Sequence, residues 1–134
     1  MIIDTNFLID LKKQNPDAMR KAKILELSHH PLRLPTIVTF EMYISVGIAD
    51  KIRYKIKDQH AYTELSANKP AVEITQSIAK LAGVLEGLHQ SSDHKSDLGP
   101  GDAIVAATGL KLNEAVVTGD GDFDDVDGLN VETY

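Results

Sequence analysis

Four acidic residues, Asp4, Glu41, Asp102 and Asp120, recur at one kind of place in this sequence, where a short apolar run ends and a helical pattern begins. Asp4 closes Met1-Ile2-Ile3 and precedes Thr5-Asn6, which open a helix with apolar Phe7, Leu8 and Leu11. Glu41 is expected in the first turn of a helix capped by Thr39, after a strand at residues 36–38. Asp102 falls in the first turn of a helix introduced by Gly99-Pro100-Gly101. Asp120 follows Ala115-Val116-Val117-Thr118, the most regular strand pattern in the chain. In an open α/β sheet, ligands bind beyond the C-terminal ends of the strands. Four acids delivered from four separate units would therefore meet at one end of a parallel sheet. Carboxylates at close range repel and raise one another's pKa unless a cation intervenes. Hard oxygen ligands suit Mg²⁺ or Mn²⁺ rather than zinc. The chemistry this implies is metal-assisted attack of water on a phosphodiester.

The elements that must position these acids follow from periodicity. Asn15-Pro16-Asp17 signals a helix start, with Pro in the first turn. Ala18, Ala22 and Leu25 then recur at helical spacing until His29-His30-Pro31 stops the pattern. Pro35 confines the second strand to an edge or a strand start. Residues 50–68 are ambiguous, because cations alternate with Ile52, Tyr54 and Ile56; the stripe Ile52, Ile56, Ala61 and Leu65 favours helix. A short strand at Ala71-Val72-Glu73-Ile74 is followed by a helix capped at Thr75, with Ile78, Leu81, Ala82, Leu85 and Leu88 on its apolar face. Residues 89–99 read as a polar loop, a candidate for mobility over a site. Phe123 is expected to anchor the turn after Asp120 in the core, and Leu129-Asn130-Val131-Glu132-Thr133 alternates as a last strand. The order β-α-α-β-α-α-β-α-α-β-β predicts an α/β fold with a mostly parallel sheet and helices on both faces.

The 134 residues suffice for one domain, residues 1–134, and are too few for two ordinary ones. The chain has no cysteine, which excludes disulfide frameworks, thiolate metal sites and cysteine nucleophiles. No apolar run approaches the ~20 residues needed to span a bilayer. The N-terminus has no basic region, so no signal peptide is expected and the simplest location is the cytoplasm. A net charge of -6 argues against passive nucleic-acid binding through a basic face. It is compatible with acids concentrated at a metal site, where two divalent ions would cancel four carboxylates. Local positive potential for a phosphodiester substrate could come from Lys51, Arg53, Lys55 and Lys57, or from Arg20, Lys21 and Lys23, although a solvated helix face explains either cluster alone.

Competing site readings fail on spacing. Asp120, Asp122 and Asp124 imitate a calcium loop, but its sixth position is Asp125 instead of Gly and its twelfth is Val131 instead of Glu. Asp124, Asp125 and Asp127 then read as solvated turn acids. The five histidines contain no H-E-x-x-H pattern, and His29-His30 are adjacent and cannot share a helix face. Tyr43, Tyr54 and Tyr62 read as packing residues. Each acid also has a bland reading: Asp4 as a helix cap, Glu41 and Asp102 as first-turn acids, and Asp120 as a turn residue.

Taken together, Asp4-Thr5-Asn6, the isolated Glu41, Asp102-Ala103-x-x-Ala106-Ala107 and Thr118-x-Asp120-x-Asp122-Phe123 resemble the PIN domain. More narrowly, they resemble the short toxins of VapBC toxin–antitoxin pairs. The resemblance covers nearly the whole chain. It implies a three-layer α/β/α fold with about four or five strands and Mg²⁺- or Mn²⁺-dependent endoribonuclease activity. It also implies a homodimer and inhibition by a cognate antitoxin that places an Arg or Lys against the carboxylates. By resemblance Asp4, Glu41, Asp102 and Asp120 are the metal-binding acids, Asp122 an outer ligand, and Asn6 and Thr118 polar supports. The polar loop at residues 90–97 is less typical of the family.

Two rival classes are weaker. A haloacid-dehalogenase-type phosphatase would need Asp-x-Asp after the first strand, where the third position is Asn6, and a receiver would need a Lys near the last strand's end, whereas Thr118-Gly119-Asp120 is not followed by one. A non-catalytic binding module would be expected to have lost some of the acids. An RNA-processing or ribosome-associated nuclease without an antitoxin shares every feature and is the alternative enzyme role.

Overall fold

Both residues of the first strand, β1 (Ile2–Ile3), are fully buried. That is the pattern of a parallel strand covered on both faces. β4 (Val116–Val117) is buried in the same way and pairs with β1 in parallel register, Ile2 opposite Val116. β5 (Val131–Glu132) continues beyond β4, again parallel. On the other side β2 (Leu34–Pro35) pairs with β3 (Ala71–Val72). A parallel bridge from Ile2 to Arg33 joins the two groups into the order β3-β2-β1-β4-β5. The structure, a computed structural model describing residues 1–134, thus has a five-stranded parallel sheet.

Six helices fill the crossovers: α1 (Thr5–Lys12), α2 (Pro16–Leu27), α3 (Thr36–Ile48), α4 (Ile52–Ser66), α5 (Gln76–Gln90) and α6 (Pro100–Leu112). One turn of 3₁₀ helix, Gly121–Asp125, links β4 to β5. From β1 the chain steps outward to β2 and β3, then returns past β1 to β4. With right-handed crossovers this reversal places α1–α4 on one face and α5–α6 on the other, a three-layer α/β/α fold. The expected element order holds throughout.

Local chemistry sets the helix starts. Asn15 Oδ1 accepts from the Asp17 and Ala18 amides at 3.0 and 3.1 Å, and Pro16 occupies the first position of α2. Thr75 Oγ1 accepts from the Ile78 amide at 3.2 Å and caps α5 as expected. Asn113, in the left-handed region at φ 52°, ends α6.

Several expectations are corrected. Residues 36–38 are helical, not strand: α3 begins at Thr36, directly after Pro35, and Thr39 caps nothing. Pro35 lacks an N–H and can flank a helix start without leaving a donor unpaired. Glu41 consequently lies in the second turn of α3. Residues 52–66 are helical as expected, but only part of the stripe is covered: Leu65 packs on the core, Ile52 and Ile56 are exposed, and Tyr62 faces the core instead, its hydroxyl 2.6 Å from Ser45 Oγ. Tyr43 and Tyr54 are exposed, so of the three tyrosines only Tyr62 is a core residue. Finally, α5 runs to Gln90, and His89 is 2% exposed, with Nδ1 2.9 Å from the Ser96 carbonyl. Leu88, expected on the buried face, is exposed. No helix is long and apolar enough to cross a membrane.

Candidate metal centre

The order in which the chain adds strands reverses between β1 and β4, which run parallel, and the residues that leave these two strands form the floor of the site. Asp4 follows β1 and is 2% exposed; Thr118 follows β4 and is fully buried. The Asp4 carboxylate forms no cap hydrogen bond on α1. Its Oδ2 instead accepts the Thr118 hydroxyl at 2.7 Å. The Thr118 oxygen in turn accepts the Asp120 amide at 3.0 Å. One hydroxyl therefore links the acid after β1 to the acid after β4. Burial pushes the Asp4 carboxyl up to about 6, against the Thr118 hydrogen bond and the nearby Thr5 and Asn6 amides; the charge of Glu41 adds to the rise. Asp4 stands at the N-cap position of α1, but its carboxylate is engaged by Thr118 rather than by a cap hydrogen bond.

Glu41 reaches the site from α3. Its Oε2 accepts the Thr5 hydroxyl at 3.2 Å, while Oε1 is buried with no hydrogen-bond partner. The carboxylate lies against the Cα of Gly101, where a Cβ would overlap Oε1. A side chain at this place would displace the Glu41 carboxylate. Burial raises the Glu41 carboxyl, and the charge of Asp102 raises it further. Asp102, in the first turn of α6, is pushed up to about 6 by burial and then by the charges of Asp4, Asp120 and Asp122. Asp120 caps the 3₁₀ turn, its Oδ1 accepting the Asp122 amide at 2.9 Å. Phe123, fully buried, anchors that turn as expected.

The four acids thus form one electrostatic unit. Burial and the neighbouring carboxylates raise Asp4 and Asp102 to about 6, a pattern that clusters at functional sites. As placed, no three His, Asp or Glu side chains stand close enough to hold an ion as a closed cage. Mg²⁺ does not need one. It is ordinarily bound through one or two carboxylates, with waters and substrate phosphates completing the shell. An all-oxygen donor set, raised carboxyl groups and the orphaned Glu41 Oε1 fit a hard divalent ion. The larger cavities lie elsewhere. One of about 380 Å³ is bounded by Arg33, Val72, Thr75 and Lys111, and one of about 460 Å³ by Leu11, Leu25, His29 and Lys69. Neither contains one of the four acids.

Among the expected supports, Thr118 is engaged through its hydroxyl. Asn6 is exposed, and it is its backbone amide, not its side chain, that acts on Asp4. Asp122 is half-buried and close enough for its charge to act on Asp102. Sequence reasoning missed Thr5, which orients Glu41; its place inside Asp4-Thr5-Asn6 was the available signal. It also missed Tyr134, whose hydroxyl donates to Asp10 Oδ2 at 2.6 Å and whose ring stacks 5.2 Å from Phe7. Gly119 leaves room for that ring, since a Cβ there would come within 3.0 Å of it. Burial and the charges of Asp10 and Asp4 raise the Tyr134 hydroxyl, which keeps it a donor at neutral pH. Nothing in the sequence marks this pair.

The cation clusters are used locally. Lys55 donates to the Val46 and Gly47 carbonyls at the end of α3, Lys21 pairs with Glu132 at 2.6 Å, and Arg20 pairs with Asp17.

The profile of the PIN domain matches residues 1–129. No curated protein matches the chain significantly. Solved structures of similar fold include VapBC2 from Rickettsia felis bound to a promoter DNA fragment, with TM-score 0.83, 17% identity and coverage of 99% of this chain and 97% of that one. DNA-bound VapBC from Salmonella typhimurium has TM-score 0.81 and 16% identity, covering 98% and 96% of the two chains. A toxin–antitoxin complex from Klebsiella pneumoniae has TM-score 0.72 and 23% identity, covering 98% and 95%.

Proposed function

The chain belongs to the PIN domain family, and from that premise we propose that it is a Mg²⁺- or Mn²⁺-dependent endoribonuclease acting as the toxin of a toxin–antitoxin pair. The observation that carries the reading is the buried, unpartnered Glu41 Oε1 beside Asp4 and Asp102, both raised to about 6. Such a cluster is unfavourable by itself and is offset by a cation. Asp4, Glu41, Asp102 and Asp120 would hold the ion, with Asp122 outside them. Bound there, it would supply Lewis-acid activation of water and offset the charge of the phosphodiester. The chain's own residues set the geometry. Thr118 fixes Asp4 and the Asp120 amide together, and Thr5 turns Glu41 toward Gly101.

The antitoxin partner is supported by the solved structures of similar fold, which include toxin–antitoxin complexes. An exposed apolar face also supports a protein partner or a second copy: Phe40, Ile44 and Ile48 on α3 with Ile52 and Ile56 on α4.

The test is cleavage of a mixed RNA pool by the purified chain, with and without Mn²⁺, beside Asp4→Asn. Cleavage that requires both the ion and Asp4 is expected. A folded, Mn²⁺-loaded protein that leaves RNA intact would move the assignment to a non-catalytic binding module.

A further inference from the structure

The turn that carries Asp120 and Asp122 is the most acidic stretch of the chain, with Asp120, Asp122, Asp124, Asp125 and Asp127 within eight residues. Phe123 and Val126 pin it to the core from below. From the other side it is met by residues 91–98, the loop between α5 and α6. Lys95 is the one cation that pairs with the turn, its Nζ 3.2 Å from Asp127 Oδ1 and donating to the Asp125 carbonyl at 2.6 Å. The Ser96 amide donates to Asp125 Oδ2 at 2.9 Å, and the Ser96 hydroxyl reaches the Asp122 carbonyl at 3.4 Å. Asp125 is therefore an acceptor tied to this loop, not merely a solvated turn acid; the Ser96 hydrogen bonds and then Lys95 hold its carboxyl below the usual range. Ser96 is itself held from beneath by His89, through its own carbonyl. Leu98, 3% exposed, then fastens the loop to the core just before Gly99-Pro100-Gly101-Asp102.

We propose that residues 91–98 are a positioning strap, with Lys95, Ser96 and Asp125 fixing the Asp120–Asp122 turn relative to Asp102 and to the Gly101 surface on which Glu41 rests. The need is physical. The carboxylates of the turn and of Asp102 repel, and Asp102 feels both Asp120 and Asp122. Of the contacts on the turn, those from Lys95 and Ser96 come from a segment that leads within a few residues into α6. The inference rests on the metal-dependent reading of the site for its consequence, and on hydrogen bonding alone for its existence. None of the three residues touches the reacting atoms, so their role is indirect, as partners outside the ligand set orient those within it.

Asp125→Ala and Lys95→Met remove the strap's acceptor and its cation; Asp125→Asn keeps an oxygen for the Ser96 amide. Mn²⁺ affinity of the full chain, by electron paramagnetic resonance, is measured together with amide hydrogen exchange of the metal-free protein. Asp125→Ala and Lys95→Met are expected to weaken Mn²⁺ binding by roughly tenfold and to speed exchange at residues 118–125 and 101–106, while Asp125→Asn restores both. Unchanged exchange in Asp125→Ala and Lys95→Met overturns the proposal. Faster exchange with unaltered Mn²⁺ affinity also overturns it, since the loop would then brace the fold without setting the site. If the native protein binds no Mn²⁺, the metal reading falls, and the exchange pattern alone decides the strap.

Discussion

At Thr118 one hydroxyl serves two partners that lie 114 residues apart and two residues apart in the chain, Asp4 and the Asp120 amide. Its hydrogen bond favours the ionised form of Asp4. Removing it in Thr118→Val, which keeps the side-chain volume, should raise the Asp4 carboxyl further. The acidic limb of the pH–rate profile for RNA cleavage should then move to higher pH, with a stability loss of about 1–3 kcal/mol for the unpaired buried group. Asp4→Asn should behave differently: it abolishes cleavage yet leaves the thermal midpoint at pH 7 equal or higher, because an unfavourable buried charge is removed. A large drop in calorimetry would show that Asp4 is structural. Gly101→Ala separates site from fold more sharply. The added Cβ overlaps only the flexible end of Glu41, and alanine suits a helix better than glycine by about 1 kcal/mol. Mn²⁺ affinity and cleavage should fall while the melting temperature holds or rises.

Among the elements, the strands are two residues long and the helices do the positioning. α3 delivers Glu41 because it starts at Thr36, one residue after the sheet, and so brings its second turn over the site. The sequence pattern Leu32-Arg33-Leu34-Pro35-Thr36-Ile37-Val38 is equally strand-like throughout its last half, and only the pairing of Leu34 and Pro35 with Ala71 and Val72 decides where extended backbone stops. The segment after β5 returns to α1 through Tyr134. Tyr134→Phe keeps the ring on Phe7 and above Gly119 but deletes the donor to Asp10. A loss of about 1–2 kcal/mol is expected by chemical denaturation, with the apolar packing intact. Phe123→Ala should cost about 3–5 kcal/mol, because it empties a fully buried site under the acidic turn.

For the whole molecule, the raised acids make stability depend on pH in an inverted sense. In the folded protein Asp4 and Asp102 hold their protons up to about pH 6, whereas the unfolded chain releases them near 3.8. Between these values the native state binds more protons, so their contribution falls as pH rises from about 4 to about 6 and is flat above. Glu114 acts in the opposite sense: burial raises it, but Arg33 and the Met1 ammonium more than offset this, and its contribution is lost on acidification. Divalent ions should reverse the penalty from Asp4 and Asp102. Thermal melts at pH 7.5 should shift upward with Mn²⁺ by mass action, and those at pH 5 should respond far less. Equal shifts at both pH values would show that the ion binds somewhere other than these acids.

The order of elements was legible from sequence because hydrophobic period and cap residues are local properties; Asn15-Pro16 and Thr75 act within three residues of themselves. The candidacy of Asp4, Asp102 and Asp120 was legible for a related reason, since strand ends and helix starts are locally marked and a parallel sheet must bring such places to one edge; Glu41 was reached through a strand at residues 36–38 that is helix, and it meets the site from the second turn of α3. What only the tertiary structure decided is which atoms meet. Thr5 finds Glu41 across 36 residues, Ser96 finds Asp125 across 29, and Tyr134 finds Asp10 across 124. The stripe in α4 rightly marked a helix, but helical spacing does not say what will cover it: Leu65 packs on the core while Ile52 and Ile56 stay exposed. His89 misled because a polar side chain is buried when a single carbonyl, here that of Ser96, satisfies it. Local pattern fixes what each segment can become. Contacts between distant segments depend on loop closure and close packing, and these exist only once the whole chain has folded.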